Sequence, residues 1–503
     1  MSRRGRRATV PSHPQPPAGP AGRRRRVLIL GICSLSLFIT YLDSTVLNVA
    51  LPTIQHRLHT SVEGLQWVSD AYLLVLASLL VLTGSVADRV GRRRVFMTGL
   101  LLFGGGSLLC SVAPGTGSLI AFRMLQALGG SMLTPVSLSI VRTAFYDPTE
   151  RAQAFGIWSA VFGAGVASGP ILGGLLVSTY GWRSVFWVNV PVVLATWWLA
   201  RRFLPESRSP LPRRVDLAGQ ALVATTLGLC TFAVIDGRAF GWTSPLIVGA
   251  FTAAAVSLVT LVQVEKHRSQ PLLELRFFRS PPFSAANAIA VASFLVMSGF
   301  LFVSTLYLQE VRGLSPLQTG AALLPATALI AVTAPIGGRL VAAYGPRIPL
   351  VTGGVCIAAG CAVLEGVGAV TPYPVLAVAY GLLGVGLGVI NPPITNTAVT
   401  GMPPEQAGVA SALASNSRQL GNVLGVAVMG ALITHPFATA HGLPRVIAAR
   451  FAVSTHEAWT VGMACGAACA LVALGCTGRR GKAAATRVYM DSPAMPSPST
   501  PGV

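Results

Sequence analysis

Long apolar stretches recur along this chain at close intervals, and they leave it few possible folds. A membrane-spanning helix needs about 20 mostly apolar residues. Fourteen stretches qualify: 27–50, 65–87, 95–113, 118–141, 152–177, 184–203, 216–236, 244–263, 285–308, 317–342, 349–368, 374–398, 407–433 and 458–477. Only helices or closed barrels satisfy their backbone groups in lipid, and these runs are too long for barrel strands. Composition agrees: 52% of the residues are hydrophobic and 11% charged, against about 25% charged in soluble chains. A soluble multidomain protein is excluded. The expected fold is all-α, a polytopic membrane protein of 14 transmembrane helices.

Basic residues orient the helices. With the N-terminus inside, the inner tails and loops hold 29 of the 37 Lys and Arg. The outer loops hold six, namely Arg57, Arg183, Arg238, Arg312, Arg445 and Arg450, and Arg123 and Arg418 fall within spans. The positive-inside rule predicts such a split, which places both termini on the cytoplasmic side of the cell membrane. The net charge of +21 is therefore read as orientation in a bilayer, with no nucleic-acid partner. All eight Cys lie in apolar runs, so no disulfide framework is implied. The seven His are expected outside the spans, and no metal site is expected.

The chain also repeats itself. Gly84 and Gly91 match Gly338 and Gly345 at a shift of 254, and Gly156, Gly169 and Gly173 match Gly408, Gly421 and Gly425 at 252. LTPV (Leu133–Val136) matches INPP (Ile390–Pro393) at 257. The shift carries spans 2, 4 and 5 onto spans 10, 12 and 13. The expected layout is two six-helix bundles in parallel repeat, with a helix pair inserted between them. Residues 1–26 form a disordered basic tail, 27–203 the first bundle, 204–284 the inserted segment, 285–477 the second bundle and 478–503 a disordered tail. Such a repeat, with a site between its halves, is a transporter architecture.

Several polar residues sit where apolar ones would be cheaper. Asp43 lies in the first span (YLDSTVLNVALP), where a carboxylate costs about 2.5–3.5 kcal/mol on insertion scales. Loss of water favours the neutral form of such a group and a nearby cation the charged form, so it is suited to trading a proton; an inert capping carboxylate is the alternative. Arg123, in RMLQALGG of the fourth span, lies at a similar depth, roughly 10 Å below the outer face at 1.5 Å per residue. It is the candidate partner that tunes Asp43, or else a purely structural ion pair. The short inner loop GSVADRVGRRR holds Gly84, Asp88, Arg89, Gly91, Arg92 and Arg93. Asp88 is suited to a facing helix N-terminus, and the group reads as a cytoplasmic gate. GAGVASGPILGG (Gly163–Gly174) carries Gly165, Gly169, Pro170, Gly173 and Gly174, a pattern for close, bent contact between halves. SNSRQLGNVLG (Ser415–Gly425) is the most polar intramembrane stretch. Its Asn416, Arg418, Gln419 and Asn422, together with Asn48 and Gln126, are candidate cavity-lining groups; helix-to-helix bonding is the alternative for the stretch.

At this point the residues resemble a known family. LDSTVLNVALP, GSVADRVGRRR, RMLQALGG and GAGVASGPILGG are similar to the motifs of the major facilitator superfamily, the last being the signature of its drug:proton antiporters. WRSVFWVNVP (Trp182–Pro191), the 14 spans and RQLGNVLG resemble its 14-helix multidrug branch, and the length and texture are similar to self-resistance exporters of antibiotic producers, such as the puromycin exporter. The resemblance implies proton-driven export of an antibiotic or other amphipathic drug, with resistance as the outcome. It assigns proton coupling to Asp43 and Arg123, gating to the loop residues, and antiport-specific packing to the glycines of the fifth span. Later spans lack acidic residues at mid-depth, which favours neutral, monocationic or bulky amphipathic cargo.

The implied coupling ion is the proton, with no other cofactor. An ATP-driven pump needs G-x-x-x-x-G-K-[ST]; the only Lys are Lys266 and Lys482, and neither sits in that pattern. An uptake symporter for a small metabolite would share the gate but not the fifth-span signature. An intramembrane enzyme is the remote reading, for the spans offer no HExxH and no His base.

Overall fold

The computed structural model describes residues 20–145, 147–208, 216–268, 275–400, 402, 404–433 and 444–478. The expected tails therefore lie mostly outside the described residues. Seventeen α-helices are present among the described residues: α1 Pro20–Leu58, α2 Val62–Val90, α3 Arg92–Ser111, α4 Thr116–Ala144, α5 Pro148–Tyr180, α6 Ser184–Trp187, α7 Asn189–Phe203, α8 Leu217–Ile235, α9 Gly237–Phe240, α10 Pro245–Lys266, α11 Pro281–Leu306, α12 Pro316–Ala322, α13 Leu324–Tyr344, α14 Arg347–Glu365, α15 Tyr373–Ala398, α16 Pro404–Ile433 and α17 Pro444–Cys476. Twelve helices among the described residues are long and apolar enough to cross a membrane. This is a multi-pass helical membrane protein.

Two expected spans fall outside those twelve. The run 184–203 is divided at Val188 into α6 and α7, because Pro191 on the new first turn cannot supply a helix hydrogen bond. The run 407–433 is helical as α16, but the polar stretch from Asn416 to Asn422 lowers its apolarity. Other boundaries also move. Helix α1 begins at Pro20, so residues 20–26 are helix rather than tail; consecutive Arg are good helix formers that can extend a helix beyond lipid. It runs on to Leu58, which puts His56 on its last turn. Helix α17 begins at Pro444 and takes in Arg445, Arg450 and His456, which the sequence places in a loop. The run 317–342 divides at Leu323 into α12 and α13, with Pro325 near the start of the second piece.

The helices associate in two groups with one scheme. Helix α1 packs on α5, α3 on α4, α2 on α4 and α3 on α7; α11 packs on α16, α14 on α15, α13 on α15 and α14 on α17. Small residues make this closeness possible, since lipid supplies no hydrophobic drive and helix contacts depend on van der Waals fit. A side chain on Gly129 would enter the backbone of Phe103, and one on Gly386 would lie 2.8 Å from Gly353 O. Helices α8 and α10 pack chiefly on each other, with α8 leaning on α2 and α16. Leu246, Val248, Phe251, Val256, Leu258 and Val259 of α10 stand exposed, an apolar face suited to acyl chains.

The two groups touch along one end of the bundle, the end that carries His56. There the last turn after α11, Tyr307–Val311, widens to a π-helical turn, a distortion frequent at functional positions. Its Gln309 Nε2 donates to Val49 O at 2.9 Å, and Glu310 Oε1 lies 3.0 Å from His56 Nε2. Gln66 Nε2 reaches the carbonyls of Val426 and Ala427 at 3.0 Å each. Across the α5–α12 contact, Gly320 lies against Pro170 O, and a Cβ on Gly174 would stand 2.5 Å from Pro316 O. At the opposite end, which carries Gly91, the ion pairs Arg26–Glu150, Arg92–Asp88 and Arg94–Glu206 each join residues of one group.

Candidate functional site

Asp43 is 2% exposed and lies midway along α1, facing α4. Its carboxylate receives three side-chain donors. Arg123 Nη1 donates to Oδ2 at 2.6 Å; Gln126 Nε2 and Asn189 Nδ2 donate to Oδ1 at 2.8 and 2.6 Å. Arg123 and Gln126 come from α4 at a three-residue spacing that puts both on one face. Asn189 opens α7, where the break at Val188 turns it inward. Ser107 Oγ of α3 closes the cluster, accepting from Gln126 at 2.7 Å and Asn189 at 3.3 Å.

The guanidinium is held from every side. Besides Asp43, Arg123 donates through Nη1 to Gln126 Oε1 at 2.7 Å and through Nε to Val68 O at 3.3 Å, and its carbon lies 4.1 Å from the centre of the Tyr72 ring. Charge-assisted bonds of this kind are short and strong, and a buried pair needs them to offset desolvation. Removing one partner from such a pair typically costs about 3–5 kcal/mol because the other charge is stranded. The site thus holds a carboxylate and a cation that balance each other only while both are charged. Protonating Asp43 would release Arg123 to its remaining partners.

Beside this cluster lies a small cavity of about 60 Å³ between the two groups. Thr40, Tyr41, Ser44, Thr45 and Asn48 of α1, Tyr72 of α2 and Arg123 of α4 line one side; Met297, Ser298 and Leu301 of α11 and Gln419, Asn422 and Val426 of α16 line the other. Tyr72 and Arg123 belong to both cavity wall and charge cluster, so a molecule in the cavity would press on the groups that hold Asp43. In this conformation the space is too small for a drug-sized ligand, so the two groups must part further to admit one. Most of the lining side chains are polar, with Leu47, Leu73, Leu76, Met297 and Leu301 supplying apolar surface.

The remaining expected residues divide by place. Asn48, Gln419 and Asn422 line the cavity, with Asn422 donating to Gln419 Oε1 at 3.0 Å. Gln126 is not on the cavity wall but in the Asp43 cluster. Arg418 binds Thr395 Oγ1 and, at 3.3 Å, Ser415 Oγ, linking α16 to α15; Asn416 Oδ1 is buried without a hydrogen bond. The gate loop does not meet a facing helix N-terminus through Asp88. Asp88 Oδ1 instead accepts from Arg92 at 2.8 Å, four residues on. Gly91 has φ 127°, a conformation that favours glycine, and it sets the Arg93 N–H on Glu206 Oε1 at 3.1 Å, while Arg93 Nη2 reaches Arg201 O at 2.5 Å. Gly84 lies by Pro135 of α4. In α5, Gly165, Gly169 and Gly173 admit α1, not the other group: a Cβ on Gly169 would overlap the Thr45 hydroxyl. Pro170 and Gly174 are the positions that meet α12.

Sequence reasoning misses Asn189, Ser107 and Asp70. Asn189 and Asp70 carried a usable signal, each being a strongly polar side chain inside an apolar run. Ser107 carried none, because Ser is common in such helices.

The description of the Major Facilitator Superfamily matches residues 33–426. The Multidrug resistance protein Stp of Mycobacterium tuberculosis is 37% identical over 410 residues, 82% of this chain and 76% of that protein. The Tetracenomycin C resistance and export protein of Streptomyces glaucescens is 35% identical over 83% of this chain and 77% of its own length. The Puromycin resistance protein pur8 of Streptomyces alboniger is 36% identical over 86% of each chain. Among solved structures, a bacterial homolog of the human lysosomal transporter Spinster superposes with a TM-score of 0.62 at 18% identity, covering 94% of this chain and 99% of that one. The peptide transporter POT gives 0.62 at 16% identity, over 92% and 95%. These structures share the fold.

Proposed function

The chain belongs to the Major Facilitator Superfamily, and from that premise we propose that it is a secondary antiporter exporting an antibiotic or other amphipathic drug in exchange for protons. In this reading fourteen helices cross the cell membrane as two six-helix bundles and an inserted pair, α8 and α10, with both termini in the cytoplasm. The His56 end is then the outer face. Because the bundles meet at that end, the conformation is the one open to the cytoplasm.

The observation that carries the proposal is the overlap of the Asp43 cluster with the cavity wall. In the proton-loaded carrier Asp43 is neutral and Arg123 is left to its other partners. Cargo entering from the cytoplasm displaces water around Tyr72 and Arg123 and favours the ion pair seen here, and forming that pair expels the proton from Asp43. Reloading Asp43 from the outer side frees Arg123 and lets the cavity close again behind the departed drug. Each proton falling through 100 mV releases about 2.3 kcal/mol, enough for a roughly fiftyfold cargo gradient. Names of the relatives support an antibiotic or drug as the cargo class. Asp88 and its loop neighbours serve as the cytoplasmic gate, with the Asp88–Arg92 pair parked in the open state and exchanged for a cross-bundle contact when the gate shuts.

Growth of a drug-sensitive host with and without the gene, across an antibiotic panel, tests the cargo class. Resistance to at least one amphipathic agent, lost in Asp43→Asn at equal protein level, is the expected result. Equal sensitivity with and without the gene across the panel would sink the proposal.

A further inference from the structure

The structure holds a second carboxylate in its core that the Asp43 cluster does not use. Asp70 of α2 is 0% exposed, and neither of its oxygens has a hydrogen-bond partner. Asp43, by contrast, has three side-chain donors. The titratable groups midway along the helices packed on α2 are engaged elsewhere or neutral. Arg123 of α4 is committed to Asp43 of α1 and Arg418 of α16 to Thr395 and Ser415; α8 offers only Cys230, α3 Cys110, and α1 also Tyr41. Asp70 forms no ion pair among the described residues. A bare carboxylate in such surroundings is strongly disfavoured, whereas a carboxylic acid is tolerable. Burial without a partner suits Asp70 only as the neutral acid.

Its position gives that state a consequence. One turn before it, Gln66 binds the backbone of α16 at Val426 and Ala427. Trp67 Nε1 donates to Asp236 Oδ2 at the end of α8, at 2.9 Å. Ser69 and Leu73 line the cavity. Asp70 thus stands within one helical turn of the opposite bundle, the inserted pair and the cavity. It lies about 12 Å along α2 from the His56 end, eight residues at 1.5 Å each. Parting α2 from α16 is the motion that opens the outer face, and it would wet this carboxylate.

We propose that Asp70 is a second proton site, separate from Asp43, whose protonation from the outer side permits α2 to close against α16. The proposal rests on the alternating-access reading above and adds a proton-dependent lock to it. Ionised Asp70 holds the outer face open, since closure would bury an unpaired charge. The neutral acid lets it shut. Transported drug need not touch Asp70 for this to work.

The test uses the full chain in lipid nanodiscs, with distance probes introduced as unnatural amino acids at Leu58 and Leu314, on the two sides of the outer seam. Without drug, the ratio of outer-open to outer-closed molecules should fall as pH is lowered, by up to about tenfold per pH unit for one linked proton. That response should persist in Asp43→Asn. Adding Asp70→Asn, which mimics the neutral acid, should leave the face closed at every pH, while Asp70→Glu keeps the titration. Should the Asn variant not fold, Asp70→Ser makes the same comparison. A pH response that survives in Asp43→Asn/Asp70→Asn, or that is already gone in Asp43→Asn alone, overturns the proposal. A wild type that titrates in this way but exchanges no protons for drug in flux measurements would defeat the export reading and leave the lock standing.

Discussion

Adding one methyl group at Gly320 tests whether the contact between α5 and α12 exists in only one of two transport states. A Cβ there would overlap Pro170 O and stand 2.8 Å from Pro170 C and 3.2 Å from Ile171 Cα. All three are backbone atoms, so no side chain can swing aside; the two helices must separate. Overpacking of this kind costs about 1–3 kcal/mol. If the seam is closed only when the cavity faces the cytoplasm, the whole cost falls on that state. The ratio of outer-closed to outer-open molecules should then drop roughly 5- to 150-fold in Gly320→Ala, at 1.4 kcal/mol per factor of ten. Distance distributions between probes across the outer seam read this ratio directly, and thermal unfolding of the detergent-solubilised variant reports any general loss of stability. An unchanged ratio with a folded protein would show that the seam is not state-dependent, and the assignment of this conformation would fail.

Two further outcomes follow from particular side chains. Asn189→Leu removes a donor 2.6 Å from Asp43 Oδ1; hydrogen bonds to charged groups contribute about 1.5–3 kcal/mol, so proton-coupled export should slow by roughly 10- to 150-fold at normal expression, and wild-type coupling would mean that Asn189 only packs. Asp236, just past the end of α8 at Ile235, has its carboxyl pushed up by burial, partly offset by the bond from Trp67. A raised carboxyl stabilises the contact between α2 and the inserted pair below its ordinary titration range and weakens it as pH rises through the shifted one. Trp67 emission should therefore change over that upper range in the wild type and stay flat in Asp236→Asn; identical titrations would remove Asp236 from the contact.

The fold was legible where one pattern decided it. Apolar length alone located the helices, because lipid forces each run to satisfy its own backbone. Glycines that repeat at a shift of 252 pack alike, α5 on α1 and α16 on α11, although the sequence named neither partner. Boundaries were less legible. Arg23–Arg26 read as tail because charge opposes burial, yet charged residues continue a helix once it leaves the apolar layer. Val188 and Leu323 break helices through proline placement and packing, which periodicity does not register. At the site, shared depth made an Asp43–Arg123 contact thinkable, since two buried charges of opposite sign seldom stay apart. The partners of that pair were hidden: Asn189 reaches it only because a helix break turns it inward, a matter of three dimensions. The glycines of α5 show the reverse error. Their spacing announced close packing, but not that three of them would face α1 while Gly163 and Gly174 face α13 and α12.

The central claim is that one carboxylate, Asp43, exchanges its proton for cargo. Purified protein in lightly buffered detergent solution, mixed with a drug to which the gene confers resistance, offers the most direct measurement: protons released on binding, followed with a pH indicator. The account predicts that the wild type releases up to one proton per molecule more than Asp43→Asn, with drug binding retained in that variant. Equal release from the two proteins would contradict it.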